Sequence, residues 1–304
     1  MSQTADYLFI DSAEVIDSTI SSLHLSCHNS YYTCREIPYF TSKNQGGTPK
    51  TPDSLLEQHI HSCLNSLKQN MEFKRGENNI VLDAVVNWNL NTGWECDLSL
   101  LGYDRLTTSQ LVNRIVRNGN ECTILHVGDQ KFIIPTNATF MICNILDIPD
   151  SLVKALGRFN LLIIDPPWPN RSVRRSNHYN SLSYDQLLSF NLGRFLTPDS
   201  LVLLWITNNT KNHNFLFDQL LPRWNLVPLC LFIWVKLTQT GEPVISLDSE
   251  HRKPYEQLLL LTNRPGPPFL LDKDKLNVEK IIFGVAPNSH SRKPNLLRLI
   301  KRLI

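Results

Sequence analysis

The chain has 304 residues, long enough for one large domain or for a domain with a smaller companion. Apolar residues at 42% and charged residues at 19% give the balance of a soluble globular protein and exclude disordered, fibrous and low-complexity classes. The net charge of +2 conceals an asymmetry: His251–Ile304 holds eleven Lys or Arg against four acids, a surplus of seven that leaves the preceding residues at −5. A basic C-terminal quarter suits a polyanionic partner, although solvated Lys and Arg are the commoner reason for so moderate a bias.

The seven cysteines are odd in number and scattered, with no Cys-x-x-Cys pair for zinc or redox work, so they read as reduced thiols of an intracellular protein without a metal site. Met1–Asp6 lacks the basic and then apolar run of a signal peptide, and no stretch approaches the ~18 apolar residues of a membrane span.

Residues 1–120 read as an N-terminal accessory region. The first 70 are rich in Ser, Thr and Asn and are broken at Gly46-Gly47-Thr48-Pro49-Lys50-Thr51-Pro52, as in a loop or linker. Leu55 to Leu67 has helical spacing, and Asn79 to Trp88 is strand-like. From residue 121 the texture changes. Apolar runs of strand length occur at Phe140–Ile145, Asn160–Asp165, Leu201–Thr207, Leu229–Val235, Glu256–Thr262 and Lys280–Val285. Helix signals lie between them. Ser183 and Gln186 form a capping box, Thr210–Leu221 is periodic until Pro222, and Pro294 opens an amphipathic run to Ile304. Buried strands alternating with helices predict an α/β domain, residues 121–304, with a mostly parallel Rossmann-like sheet covered on both faces.

In such sheets ligands bind beyond the carboxyl ends of the strands, and Asp165-Pro166-Pro167-Trp168 follows Leu161-Leu162-Ile163-Ile164 at that position. Two prolines cannot continue a central strand, so the segment is a rigid loop with free carbonyls. That pattern suits an amino group as substrate. The exocyclic nitrogen of adenine is a poor nucleophile because its lone pair is delocalised into the ring, and a site must hold both N–H groups with fixed acceptors. The Asp165 carboxylate and the Pro166 carbonyl supply two, while Trp168 can stack on an extracted base. With a sulfonium as methyl donor, orientation and fixed dipoles suffice without a strong general base. The bland reading is a strand-ending Asp, a Pro-Pro turn and a packed Trp; chance alone gives the match in roughly one chain of this length in a thousand.

These residues, with others in the same order, resemble the eukaryotic Asp-Pro-Pro-Trp adenine N6-methyltransferases, and within them the methyltransferase-like four branch. The resemblance is carried by the run from Leu161 through Asp165-Pro166-Pro167-Trp168 to His178-Tyr179, and by Leu204-Trp205-Ile206-Thr207-Asn208. Ile233-Trp234-Val235-Lys236, His251-Arg252-Lys253-Pro254-Tyr255-Glu256 and Ser289-His290-Ser291-Arg292-Lys293-Pro294 complete it. It implies S-adenosyl-L-methionine as methyl donor and adenine N6 as acceptor, in RNA, small nuclear RNA above all, or in DNA. By the same resemblance Asp165, Pro166, Pro167 and Trp168 form the catalytic motif, and Asp165 also lies near the donor's amine. Lys293 meets the donor's carboxylate, and Asn144-Ile145 stands where the family has Asp-Ile beneath the donor's adenine. A neutral Asn there makes a weaker bond than a carboxylate. Tyr179 walls the target base. Arg171, Arg174, Arg175, Ser176 and Asn177, with Lys236, Arg252 and Lys253, are expected to meet substrate phosphates, the alternative being a solvated loop.

A nuclear protein is expected, with the cytoplasm as the alternative, and no partner subunit is indicated, so a monomer is expected. In the family the final helix leads to one more strand and a Trp-rich segment that hold the donor's ribose and carboxylate. No equivalent follows Arg298–Ile304, so weak or absent methylation by these 304 residues alone is the expectation. A catalytically silent nucleic-acid- or partner-binding relative is the alternative, and a methyltransferase acting on small molecules or proteins is a third reading.

Overall fold

The computed structural model describes residues 7–10, 55–70, 95–97, 106–107, 110–119, 122–128, 130–169, 181–238, 240–249, 252–264, 280–286, 293–297 and 299–300. In chain order these form β1 (Tyr7–Ile10), α1 (Leu55–Asn70), β2 (Glu95–Asp97), β3 (Ile115–Arg117), β4 (Thr123–Val127), β5 (Gln130–Ile134) and β6 (Thr139–Met141). There follow α2 (Asp150–Leu156), β7 (Phe159–Ile164), α3 (Tyr184–Ser189), β8 (Leu196–Ile206), α4 (Thr210–Phe215), α5 (Leu221–Trp224), β9 (Val227–Leu237), β10 (Tyr255–Thr262) and β11 (Lys280–Val285). The strand-like run Asn79–Trp88 lies outside the described residues.

The chain forms two compact units, and they divide in a different place from the change of texture near residue 120. One comprises Met1–Val81, Asn160–Leu188 and Leu196–Ile304; the other comprises Leu82–Phe159 and Ser189–Phe195. The reason is packing. Helix α1 turns Ile60, Cys63, Leu64 and Leu67 inward, at i, i+3, i+4 and i+7, onto Ile233, Val235, Ile281 and Phe283 of the large sheet. A segment whose composition suggests an appendage therefore completes the core of the larger unit.

That unit is built on a six-stranded sheet of order β1-β11-β9-β10-β8-β7. β1 pairs parallel with β11 and β11 parallel with β9, whereas β10 is antiparallel to both β9 and β8. It follows that β1, β11, β9 and β8 share one direction and β10 alone is reversed. The hydrogen bond from Thr197 Oγ1 to Asn160 Oδ1 (3.0 Å) at one end, and from Trp168 Nε1 to the Trp205 carbonyl (2.9 Å) at the other, align β7 with β8. The expected α/β sheet is present with one reversed strand, a feature an apolar run cannot signal. Its second face buries Leu203, Trp205, Phe232, Trp234, Leu258 and Ile282 under Leu296 and Leu299. Among the described residues no helix is long and apolar enough to cross a membrane.

The local signals resolve in detail. Gln186 N–H donates to Ser183 Oγ (3.2 Å) and Ser183 N–H to Gln186 Oε1 (2.8 Å), the reciprocal capping box at the start of α3. The helix begun at α4 does not stop at Pro222. A π turn at Leu216–Leu220 widens it just ahead of the proline, whose ring would otherwise strike the carbonyl four residues back, and helix continues to Trp224. Asn225, at φ 53°, then ends it in the left-handed conformation.

The smaller unit holds a three-stranded sheet, β2-β3-β6, and the β4-β5 hairpin, turned at Gly128 with φ 59°. Leu106, Leu111, Val116, Leu125 and Val127 form its core. The strand expected over Phe140–Ile145 is shorter. It closes at Met141, because Asn144 accepts the Leu146 N–H (3.2 Å) and caps a 3₁₀ turn at Ile145–Asp147.

Candidate active site

Asp165 leaves the end of β7, next to the carboxyl end of β8, and β10 starts beside the end of β9 with Glu256 opposite Trp234. The strand ends thereby bring Asp165, Lys236 and Glu256 together, and Lys293, from the segment after β11, joins them. Lys293 Nζ lies 3.2 Å from Asp165 Oδ2 and 2.7 Å from Glu256 Oε2, and Lys236 Nζ pairs with Glu256 Oε1. The order is acid, base, acid, base. Beneath them are two indoles, 1% exposed and packed edge to face at 5.7 Å, with Lys293 over Trp205 at 5.4 Å and Lys236 over Trp234 at 5.0 Å. Such a floor excludes water and strengthens the charge interactions above it.

Electrostatics separate the two acids. Burial pushes the Asp165 carboxyl above its ordinary value, and its share of the Lys293 charge offsets this only in part. Burial works in the same direction on Glu256, yet the Lys236 and Lys293 ammonium groups together hold that carboxyl below the usual glutamate range. For Lys293, burial favours the neutral amine, but Glu256 and Asp165 outweigh it and raise the ammonium above the usual lysine value. Glu256 is therefore firmly ionised, and Asp165 is the acid more easily released from its partner.

The Asp165-Pro166-Pro167-Trp168 loop is tied down. Trp168 N–H donates to the Pro166 carbonyl at 2.8 Å, and Leu182 N–H donates to the Pro167 carbonyl at 2.9 Å. Each carbonyl expected to be free thus already accepts one hydrogen bond and retains one lone pair. Trp168 is also placed otherwise than expected. It is 4% exposed and donates its indole N–H to the Trp205 carbonyl, so its ring is an anchor under the loop and not an open stacking face.

A family profile for MT-A70 matches residues 159–304. The chain is 34% identical over 214 residues to the human N(6)-adenine-specific methyltransferase METTL4, spanning 68% of this chain and 45% of that protein. It is 29% identical over 187 residues to the N6-methyladenosine RNA methyltransferase MTA1 of Pyricularia oryzae, 57% of this chain and 48% of that one. To the DNA N6-methyl methyltransferase of Caenorhabditis elegans it is 30% identical over 200 residues, 64% of this chain and 53% of that one. The chain belongs to the MT-A70 family. It spans about half the length of these curated relatives.

Within this MT-A70 chain the structure unites Asp165 and Lys293, which the sequence places 128 positions apart. It engages two other expected phosphate contacts elsewhere. Lys236 pairs with Glu256 over Trp234, and Lys253 is bound to the buried Glu57 of α1 and to the Leu247 carbonyl (3.2 Å). Arg252 is exposed. Arg171, Arg174, Arg175, Ser176, Asn177 and Tyr179 lie outside the described residues. Asn144 and Ile145 belong to the smaller unit, where Asn144 donates to Asp147 Oδ2 (2.5 Å) and Ile145 is 42% exposed. Glu256 and Trp205 stand in the motifs that carry the resemblance, but neither was given a role from sequence. The available signal for Glu256 was periodicity: it shares a strand face with Leu258 and Leu260, where a lone acid is out of place.

Proposed function

We propose that this chain transfers the methyl group of S-adenosyl-L-methionine to N6 of adenine in nucleic acid, in the nucleus, with RNA as the favoured substrate. The observation that carries the reading is Asp165 opposed to Lys293 at 3.2 Å at the carboxyl end of the sheet. A methionine-type ligand presents an ammonium and a carboxylate, and a carboxylate beside an ammonium is the matching donor set. The residues fit the group: Asp165 would hold its amine and Lys293 its carboxylate. When bound, it supplies an electrophilic methyl on a sulfonium.

The residues of the chain do the remainder. Asp165 and the second lone pair of the Pro166 carbonyl accept the two N–H groups of the target amine and orient its nitrogen. Pro167 keeps the loop rigid, and Trp168, seated on Trp205, fixes its height. The indole floor keeps water from the acceptors. Arg252, with Arg171, Arg174, Arg175, Ser176 and Asn177, would meet the phosphates, while Tyr179 would wall the base.

The names of the Pyricularia oryzae and Caenorhabditis elegans relatives support RNA and DNA respectively. The methyltransferase-like four resemblance favours small nuclear RNA. The test is transfer of a labelled methyl group to RNA and to DNA by the 304-residue chain and by Asp165→Ala. The expected result is weak adenine labelling of RNA by the 304 residues alone, lost to background in the variant. Labelling that persists in Asp165→Ala overturns the assignment of the site, and no labelling of either nucleic acid favours a silent binding relative.

A further inference from the structure

The four-charge chain holds more than donor recognition requires. Asp165 and Lys293 alone would match an amino-acid zwitterion, yet they also match each other, and an internal ion pair competes with the ligand for both groups. Lys293 resolves this by its position. Its contact with Glu256 (2.7 Å) is shorter than that with Asp165 (3.2 Å), and the second oxygen of Glu256 is held by Lys236.

We propose that Glu256 is a positioning residue: it retains Lys293 when a ligand ammonium claims Asp165, so that Lys293 turns to the ligand's carboxylate instead of closing on Asp165. This rests on the reading of Asp165 and Lys293 as the donor site. Lys236 acts one step further out, keeping Glu256 ionised and fixed against Trp234. The electrostatics agree, since Glu256 is stabilised as a carboxylate and Asp165 is not. Remove the Glu256 charge, and Asp165 becomes the carboxylate left to Lys293 in this cluster. The ligand must then break that pair to enter. The cost falls on donor binding, not on the chemical step, because Glu256 reaches the reacting atoms only through Lys293.

The test uses the 304-residue chain with Glu256→Gln, Glu256→Asp and Lys236→Met. Binding of S-adenosylhomocysteine, which has the same amino-acid group and no methyl to transfer, is measured by calorimetry. Donor KM and kcat are measured on RNA, and thermal unfolding reports the fold. The expected result is a roughly ten- to hundredfold weaker affinity in Glu256→Gln, the size of a lost charge-assisted interaction. Donor KM should rise by the same factor with kcat within about threefold. Glu256→Asp, which keeps the charge, should recover part of the affinity, and Lys236→Met should show a smaller loss of the same kind. Should Glu256→Gln not fold, the last two variants carry the comparison. A folded Glu256→Gln that binds as tightly as the native chain, or that loses kcat at unchanged KM, overturns the role of Glu256. A native chain that binds neither donor nor S-adenosylhomocysteine overturns the proposed function, and this inference with it.

Discussion

Replacing Trp168 by Phe distinguishes an anchor from a stacking platform. A phenyl ring keeps an aromatic face, so a Trp168 that stacks openly on a base would tolerate the change. In the structure the side chain is 4% exposed and its N–H is bound to the Trp205 carbonyl at 2.9 Å. Losing a buried hydrogen bond of this kind costs about 1–2 kcal/mol. The space left by the smaller ring adds about 1 kcal/mol. The sum, about 2–3 kcal/mol, corresponds to a fall in melting temperature of roughly 3–5 °C for a chain of this size. Function should suffer separately, because the indole seated on Trp205 sets the position of the loop that carries the Pro166 carbonyl. A displacement of that acceptor by an ångström reduces turnover by roughly a hundredfold. Urea unfolding followed by far-ultraviolet circular dichroism gives the first quantity, and methyl transfer well below the melting temperature gives the second. A variant within about 0.5 kcal/mol of the native chain, with native turnover, would refute the anchoring argument.

Leu64→Ala should cost about 3 kcal/mol in the same unfolding assay, since Leu64 is 4% exposed against the central strands; a loss under about 1 kcal/mol would show that α1 is not part of that core. Acidification should remove donor affinity before it removes the fold. The Asp165 carboxyl lies above its ordinary value, so it protonates first and gives up the ligand's amine, and its protonation does not lower stability. Glu256 lies below its ordinary value, so the stability it contributes is present above the unfolded-state value and is lost only as pH falls through the depressed one. Calorimetric affinity and circular dichroism followed from pH 7 downward check the order, and simultaneous loss would refute it.

Much of the large sheet was legible because its strands are buried on both faces and so read as continuous apolar runs. Lys280–Val285 is read to the residue, and Glu256–Thr262 to within one. What such runs lack is direction and partner. Nothing in Glu256–Thr262 says that it is the reversed strand, and nothing in Tyr7–Ile10 says that it lies beside Ile281–Gly284, some 270 positions away. Local chemistry fared better where the partner was near. The Ser183–Gln186 cap closes over three residues, whereas the π turn depends on how a proline ring is accommodated within a helix that other contacts hold together.

The site divides along the same line. Asp165-Pro166-Pro167-Trp168 is contiguous, so its residue types alone suggested acceptors for an amine. The roles within it depended on contacts the motif does not contain: Leu182 beneath Pro167 and Trp205 beneath Trp168. Glu256 and Lys236 show the converse. Each sits in an otherwise apolar strand end, where an isolated charge has a high burial cost unless a partner of opposite sign lies on the adjacent strand. Two such charges on neighbouring strands, one acidic and one basic, offset that cost for each other, and Lys293 then adds a third charge that Glu256 and Asp165 share. The arrangement leaves one acid firmly held and one exchangeable, as the proposed donor site, which would admit an ammonium, requires.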